Sequence, residues 1–258
     1  MLRLGPASES GPRSSASVLG VRFVLVIGAL LGALALLPDS PAPERSAHAA
    51  TAGKSGTWVA RVERPASARA RPNPRARIVG TVSPIAPLAG GRQDLAVLSR
   101  TTRGGERWVR VQLAKRPNGS LGWLPADAVT LRRTVNRLEV DLSARQLTLF
   151  RRGWPAVRTS VAIGKAGTPT PTGEFAIAEL IRTNRPGAFL GPVILPLTGF
   201  SQTLNEYEGG NGRVAIHGTS APNLIGTAAS NGCVRMNNAE VLRIAQTVRP
   251  GDPVIIRA

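Results

Sequence analysis

The 258-residue chain contains one cysteine, Cys233, and it follows a histidine, His217, by sixteen residues. A thiolate is a potent nucleophile. An imidazole beside it can take the thiol proton and later return it to a leaving amine. Taken singly, a lone cysteine reads as a small core residue and a lone histidine as a structural one. Together in one exported chain they favour nucleophilic catalysis. The other histidine, His48, lies near the N-terminus. A zinc site needs about four ligands at Cys/His spacing, so neither a metal nor another cofactor is expected.

Export is read from the N-terminus. Arg3, Arg13 and Arg22 precede an apolar run, F-V-L-V-I-G-A-L-L-G-A-L-A-L-L, at residues 23–37. Basic residues before such a run mark an export signal, and the run is shorter than the roughly 20 residues of a full membrane span. Ala47-His48-Ala49 offers a small-x-small cleavage site, but well beyond the run. Residues 1–37 are therefore either a signal peptide or a retained membrane anchor, and residues 38–56, rich in Pro, Ala and Ser, a linker. Exported chains normally pair their cysteines. Cys233 has no partner within the chain, which makes its retention as a free thiol informative.

The formal net charge is +18, and residues 51–135 alone carry 16 Lys+Arg against 4 Asp+Glu. Aromatics make up only 4% of the chain, and no recognition helix or stacking motif accompanies the charge, which argues against nucleic acid. The basic front segment is better suited to attract an extracellular polyanion.

The elements that must position the thiol and imidazole are mostly strands. W-V-A-R-V (58–62), R-I-V-G-T-V (77–82), L-A-V-L (95–98), R-W-V-R-V-Q-L (107–113) and G-W-L-P (122–125) read as short strands. In the fourth, alternation places Trp108, Arg110 and Gln112 on one face and Val109, Val111 and Leu113 on the other, the pattern of a half-buried strand. From Asn136 a three-strand meander follows: R-L-E-V-D-L, Q-L-T-L-F and A-V-R-T-S-V-A-I-G. Residues 167–175, G-T-P-T-P-T-G-E-F, form a loop that its prolines keep from being helical. V-A-I-H (214–217) is a strand ending on the histidine. One amphipathic helix spans about 239–248, with Asn237 or Asn238 as its cap, and P-V-I-I closes the chain as a strand. The fold class is mainly β, with one main helix.

Two resemblances follow from these residues. The W-V-R-V strand, turn and G-W-L-P strand make residues 57–135 resemble a bacterial SH3-like β-barrel module. The stretch H-G-T (217–219) followed by S-N-G-C-V-R (230–235) resembles the signature of the L,D-transpeptidase (YkuD-type) catalytic domain. T-P-T-P-T-G-E-F and the opening strand from residue 136 are similar to the same family, so the resemblance covers residues 136–258. It implies a β-sandwich with Cys233 as nucleophile, His217 as general acid/base and the Gly218 carbonyl orienting the imidazole. Backbone N–H groups of Gly232, Cys233 and Asn231 are candidates for an oxyanion hole. Arg235, Ser230 and Thr219 are candidate substrate-binding residues, although Ser230 and Thr219 suit loop-holding hydroxyl bonds better. Asn231 departs from the commoner S-H-G-C form.

The implied substrate is a peptidoglycan stem peptide, acylated onto the cysteine and passed to an amine as a 3→3 cross-link. The alternatives are hydrolysis of the same stems by a carboxypeptidase and an idle wall-binding protein. The implied location is the extracytoplasmic cell wall or periplasm, with anionic wall polymers as possible partners of the front module. Membrane contact would come through the N-terminal segment if it is uncleaved.

Overall fold

A computed structural model describes residues 56–258, apart from 184, 186, 207 and 208. The basic and apolar leader and nearly all of the linker lie outside the described residues. Among the described residues no helix is long and apolar enough to cross a membrane.

The first half builds one antiparallel sheet from β1 (Thr57–Val62), β2 (Ala66–Arg69), β3 (Ile78–Val82), β4 (Asp94–Arg103), β5 (Glu106–Gln112), β6 (Leu121–Pro125) and β7 (Val129–Thr134). The hydrogen-bonded order is β3-β2-β6-β5-β4-β1-β7. Its own hydrophobic cluster gathers Ala60, Val62, Val97, Val109, Val111 and Leu124. Two of these strands are not marked by the sequence. β2, A-S-A-R, is short and weakly apolar, and β7, V-T-L-R-R-T, carries two arginines.

The meander appears as β8 (Asn136–Asp141), β9 (Gln146–Arg151) and β10 (Trp154–Ser160). Along the chain follow β11 (Ile163–Gly164), β12 (Gly173–Ala176), β13 (Ile181–Arg182), β14 (Val193–Phe200), β15 (Arg213–His217), β16 (Ala228–Ser230), β17 (Val234–Arg235), helix α1 (Asn238–Thr247) and β18 (Pro253–Arg257). They form a five-stranded sheet, β10-β9-β8-β18-β12, a four-stranded sheet, β13-β14-β15-β17, and the pair β11-β16. One hydrophobic cluster joins Leu138 and Leu149 of the first sheet, Leu195 and Ile216 of the second, and Val241 and Ile244 of the helix.

Three local expectations change. The end of the expected 167–175 loop is a strand: once past Pro171 every residue has an N–H to donate, and Gly173–Ala176 pairs with β18. The buried strand β14 contains Pro196, and its pairing with β15 shifts register between Pro196 and Phe200. A proline inside a continuous apolar run hides such a strand from pattern reading. Finally, β5 is covered on both sides rather than half-buried. Trp108 and Gln112 are as buried as Val109 and Val111.

For Gln112 the cause of that burial is the second half of the molecule. Gln112 donates from Nε2 to the Glu174 carbonyl at 2.7 Å and accepts from the Thr198 hydroxyl at 3.1 Å. The same hydroxyl takes the Ala176 N–H. Around this contact, Glu179 accepts the Leu88 and Ala89 N–H groups, Arg116 reaches the Ser201 carbonyl, and Asn118 bonds both the N–H and the carbonyl of Phe200. Q112L keeps the volume but leaves the buried Thr198 hydroxyl without its acceptor. We expect it to cost about 2 kcal/mol, about 4–8 °C in thermal unfolding, with both halves still melting together. Calorimetry of wild type and Q112L checks this.

Candidate active site

Period-two alternation builds the site. β15 and β17 pair in parallel, with Ile216 opposite Val234 and His217 opposite Arg235. Val214, Ile216, Val234 and Met236 point into the core and are at most 2% exposed. The intervening residues Ala215, His217, Cys233 and Arg235 therefore share the opposite face. Cys233 falls one step before β17, with its thiol beside the Ala215 backbone and two positions back from His217 along that face. A parallel pair needs a crossover of a dozen or more residues. Residues 218–233 supply it, which gives the His-to-Cys spacing a structural reason.

His217 is 1% exposed, and its Nδ1 lies 2.6 Å from the Gly218 carbonyl. A carbonyl only accepts, so the bond requires the proton on Nδ1 and leaves Nε2 with the lone pair. Burial drives the imidazole pKa down to about 4. The Gly218 carbonyl opposes the shift, the Arg235 cation adds to it, and the Leu190 backbone opposes it again. Burial also pushes the Cys233 thiol up, against the Ala215 backbone and Arg235, which favour the thiolate. Cys233 itself stays partly exposed. The resting pair is therefore a neutral thiol and a neutral imidazole rather than an ion pair.

The loop before the thiol is tightly held. Ser230 is fully buried and its hydroxyl donates to the Cys233 carbonyl at 2.5 Å while accepting the Gly232 N–H at 3.1 Å. The Gly232 N–H is thus committed to Ser230, which corrects its expected place in an oxyanion hole. What requires glycine there is the backbone, with φ +111°. Asn231 occupies the bend beside it. The Thr-Pro loop packs against this turn: Lys165 N–H and the Thr168 hydroxyl both reach the Ser230 carbonyl, and the Thr170 hydroxyl takes the Gly164 N–H.

Thr219 is likewise a loop residue, its hydroxyl accepting the Ala221 N–H at 3.0 Å. Thr219 and Ser230 both hold backbone through their hydroxyls. Arg235 is only 7% exposed and has no ion-pair partner among the described residues. Its guanidinium lies 4.6 Å from the Phe189 ring, and its Nε has no hydrogen-bond partner.

Sequence reasoning passed over three contributors. Phe189 and Leu190, both partly exposed, sit over the site, with the Phe189 ring 6.3 Å from that of His217. Asn238, expected only as a helix cap, instead accepts the Thr219 N–H at 2.8 Å.

A sequence profile of the L,D-transpeptidase catalytic domain (YkuD) matches residues 135–256. Over those residues, a little under half of the chain, the protein is similar to this catalytic domain. Two curated Bacillus proteins, each named as a candidate L,D-transpeptidase YkuD, are similar to it. The one from Bacillus licheniformis is 38% identical over 120 residues, and the one from Bacillus subtilis 36% over 119. Each match covers 46% of this chain and 64% of the relative, so the chain spans less than two thirds of their length. Among solved structures, an L,D-transpeptidase from Enterococcus faecium is 22% identical over 47% of this chain and 49% of its own, with TM-score 0.36. One from Mycobacterium tuberculosis is 13% identical over 64% and 90%, with TM-score 0.42.

Two pH effects follow for this site. With a neutral resting pair, alkylation of Cys233 by iodoacetamide should climb with pH through the alkaline range and show no plateau near pH 5. A plateau there would reveal a standing thiolate–imidazolium pair. The second effect is on stability. The unfolded chain binds a proton at His217 near pH 6.5, and the folded chain only near pH 4. Acidification between these values should therefore remove about 3 kcal/mol. Asp252, whose pKa burial raises, works in the opposite sense, so the comparison is with H217Q, whose denaturation curves should lose less stability over the same window.

Proposed function

We propose that this chain is an extracytoplasmic peptidoglycan L,D-transpeptidase that works through a Cys233 thioester. The observation that supports it is the shared face of His217 and Cys233, with Nδ1 held by Gly218 and Nε2 left as base. His217 Nε2 takes the thiol proton as sulfur attacks the penultimate carbonyl of a tetrapeptide stem. The tetrahedral intermediate collapses, the C–N bond breaks, and the imidazolium gives its proton to the departing D-Ala amine. An amine of a neighbouring stem then attacks the thioester, loses its proton to His217 and releases the thiol, forming a 3→3 cross-link. With the Gly232 N–H bonded to Ser230, the oxyanion role passes to the Cys233 N–H. Arg235, with an unpartnered Nε, is the proposed anchor for a stem carboxylate.

The SH3-like reading of the front half supplies the wall-facing surface. Trp58 there lies between Arg100 and Arg133, at 4.4 and 5.1 Å, among many other arginines suited to anionic wall polymers.

Intact-mass analysis after incubation with a carbapenem should give one covalent adduct on wild type, none on C233A, and slowed formation on H217A. Muropeptide digestion then reads the acceptor. Cross-linked dimers support transfer, and stems trimmed to tripeptides indicate hydrolysis. A wild type that is neither modified nor active on tetrapeptide stems overturns the enzymatic reading.

A further inference from the structure

The acceptor that orients His217 belongs to a peptide group gripped at both ends. The carbonyl of the Gly218–Thr219 peptide takes the His217 Nδ1 proton, and the N–H of the same peptide donates to Asn238 Oδ1 at 2.8 Å. We infer that Asn238 is a positioning residue for the imidazole, acting through the Gly218–Thr219 peptide to complete a Cys233–His217–peptide–Asn238 relay. An acceptor on a peptide N–H polarises that peptide and strengthens its carbonyl as an acceptor in turn. An amide side chain thereby steadies the histidine one peptide removed, where no carboxylate is among the groups acting on the ring.

Packing supports the assignment. A Cβ at Gly218 or at Gly191 would collide with Asn238 Oδ1, so both glycines are needed for the amide to reach this peptide. Thr219 and His217 are both nearly fully buried, so the Thr219 N–H depends on a protein acceptor. Asn238 is the first residue of the helix, after Asn237 at the N-cap position, which makes no side-chain capping bond. Asn238 opens α1, whose Val241, Ile244 and Ala245 are buried in the core. The relay therefore ties the imidazole to a helix anchored in the core.

This inference rests on the thiol-acylation reading above, and the test separates the two. N238L removes the acceptor at similar volume, whereas N238D retains one. Acylation rate by intact mass across pH, thermal stability, and the ¹⁵N spectrum of the His217 ring are measured for each. The other charged group acting on the ring, Arg235, is unchanged in both variants. N238L should slow acylation about tenfold, weaken the Nδ1–H tautomer's dominance and lower the His217 titration midpoint. N238D should stay within about threefold of wild type with the tautomer intact.

Should N238L fail to fold, N238S, too short to span the contact, carries the same expectation. A wild-type tautomer and pH profile in the acceptor-less variant overturn the inference, as does equal slowing in N238D, which would mark a packing role. A wild type that is never acylated overturns the function instead, and the ring spectrum still decides the relay.

Discussion

The parallel pairing of Arg213–His217 with Val234–Arg235 is the constraint on which the site depends. Because side chains alternate, burying Val214, Ile216, Val234 and Met236 obliges Ala215, His217, Cys233 and Arg235 to the other face. A one-residue slip would send the imidazole into the core and a valine into the site, and every buried apolar contact opposes it. The hydrophobic effect thus sets the register that places the thiol and the imidazole on one face. The crossover that parallel strands require then becomes the loop that carries the thiol, and its buried Ser230 fixes that loop from inside.

Burial of this face has an electrostatic consequence. It lowers His217 and raises Cys233, so both rest neutral although Arg235 favours the thiolate. In the proposed reaction, charge separation is deferred to the moment a carbonyl is attacked, when the thiol proton would cross to Nε2 and the Gly218 carbonyl would steady the imidazolium. A neutral thiol is also the less oxidisable form. That suits a lone cysteine proposed to work outside the cell, since protection between turnovers and reactivity during them then come from the same desolvation.

Much of this site is legible in the sequence because its information is local. V-A-I-H and G-C-V-R-M alternate visibly, and the spacing between them is a crossover length. The illegible parts involve partners distant in sequence. Asn238 is a plausible cap by its neighbours, and only the fold brings Gly191 and Gly218 close enough for its amide to reach Thr219. Gln112 looks like a solvent-facing position of a half-buried strand until Glu174 and Thr198 cover it. Gly232 suits an oxyanion loop by type, yet its N–H is claimed by a buried serine two residues away. In β14 the proline conceals a strand that tertiary pairing nonetheless forms.

The contacts from the front half explain how the strands that carry the site are held. They reach Glu174 on β12, Thr198 and Phe200 on β14, and the start of β15, where Arg213 donates to the Ala114 carbonyl at 3.3 Å. His217 ends that same strand four residues on, about 13 Å away at the rise of an extended chain. The front half therefore braces the strand from the end opposite the imidazole. Many of these bonds run to backbone carbonyls and N–H groups, which fix position without depending on neighbouring side chains. The strand is thus held at one end by a partner module and at the other by the His217–Gly218–Asn238 chain. On the site side, the Phe189 ring lies beside both His217 and Arg235.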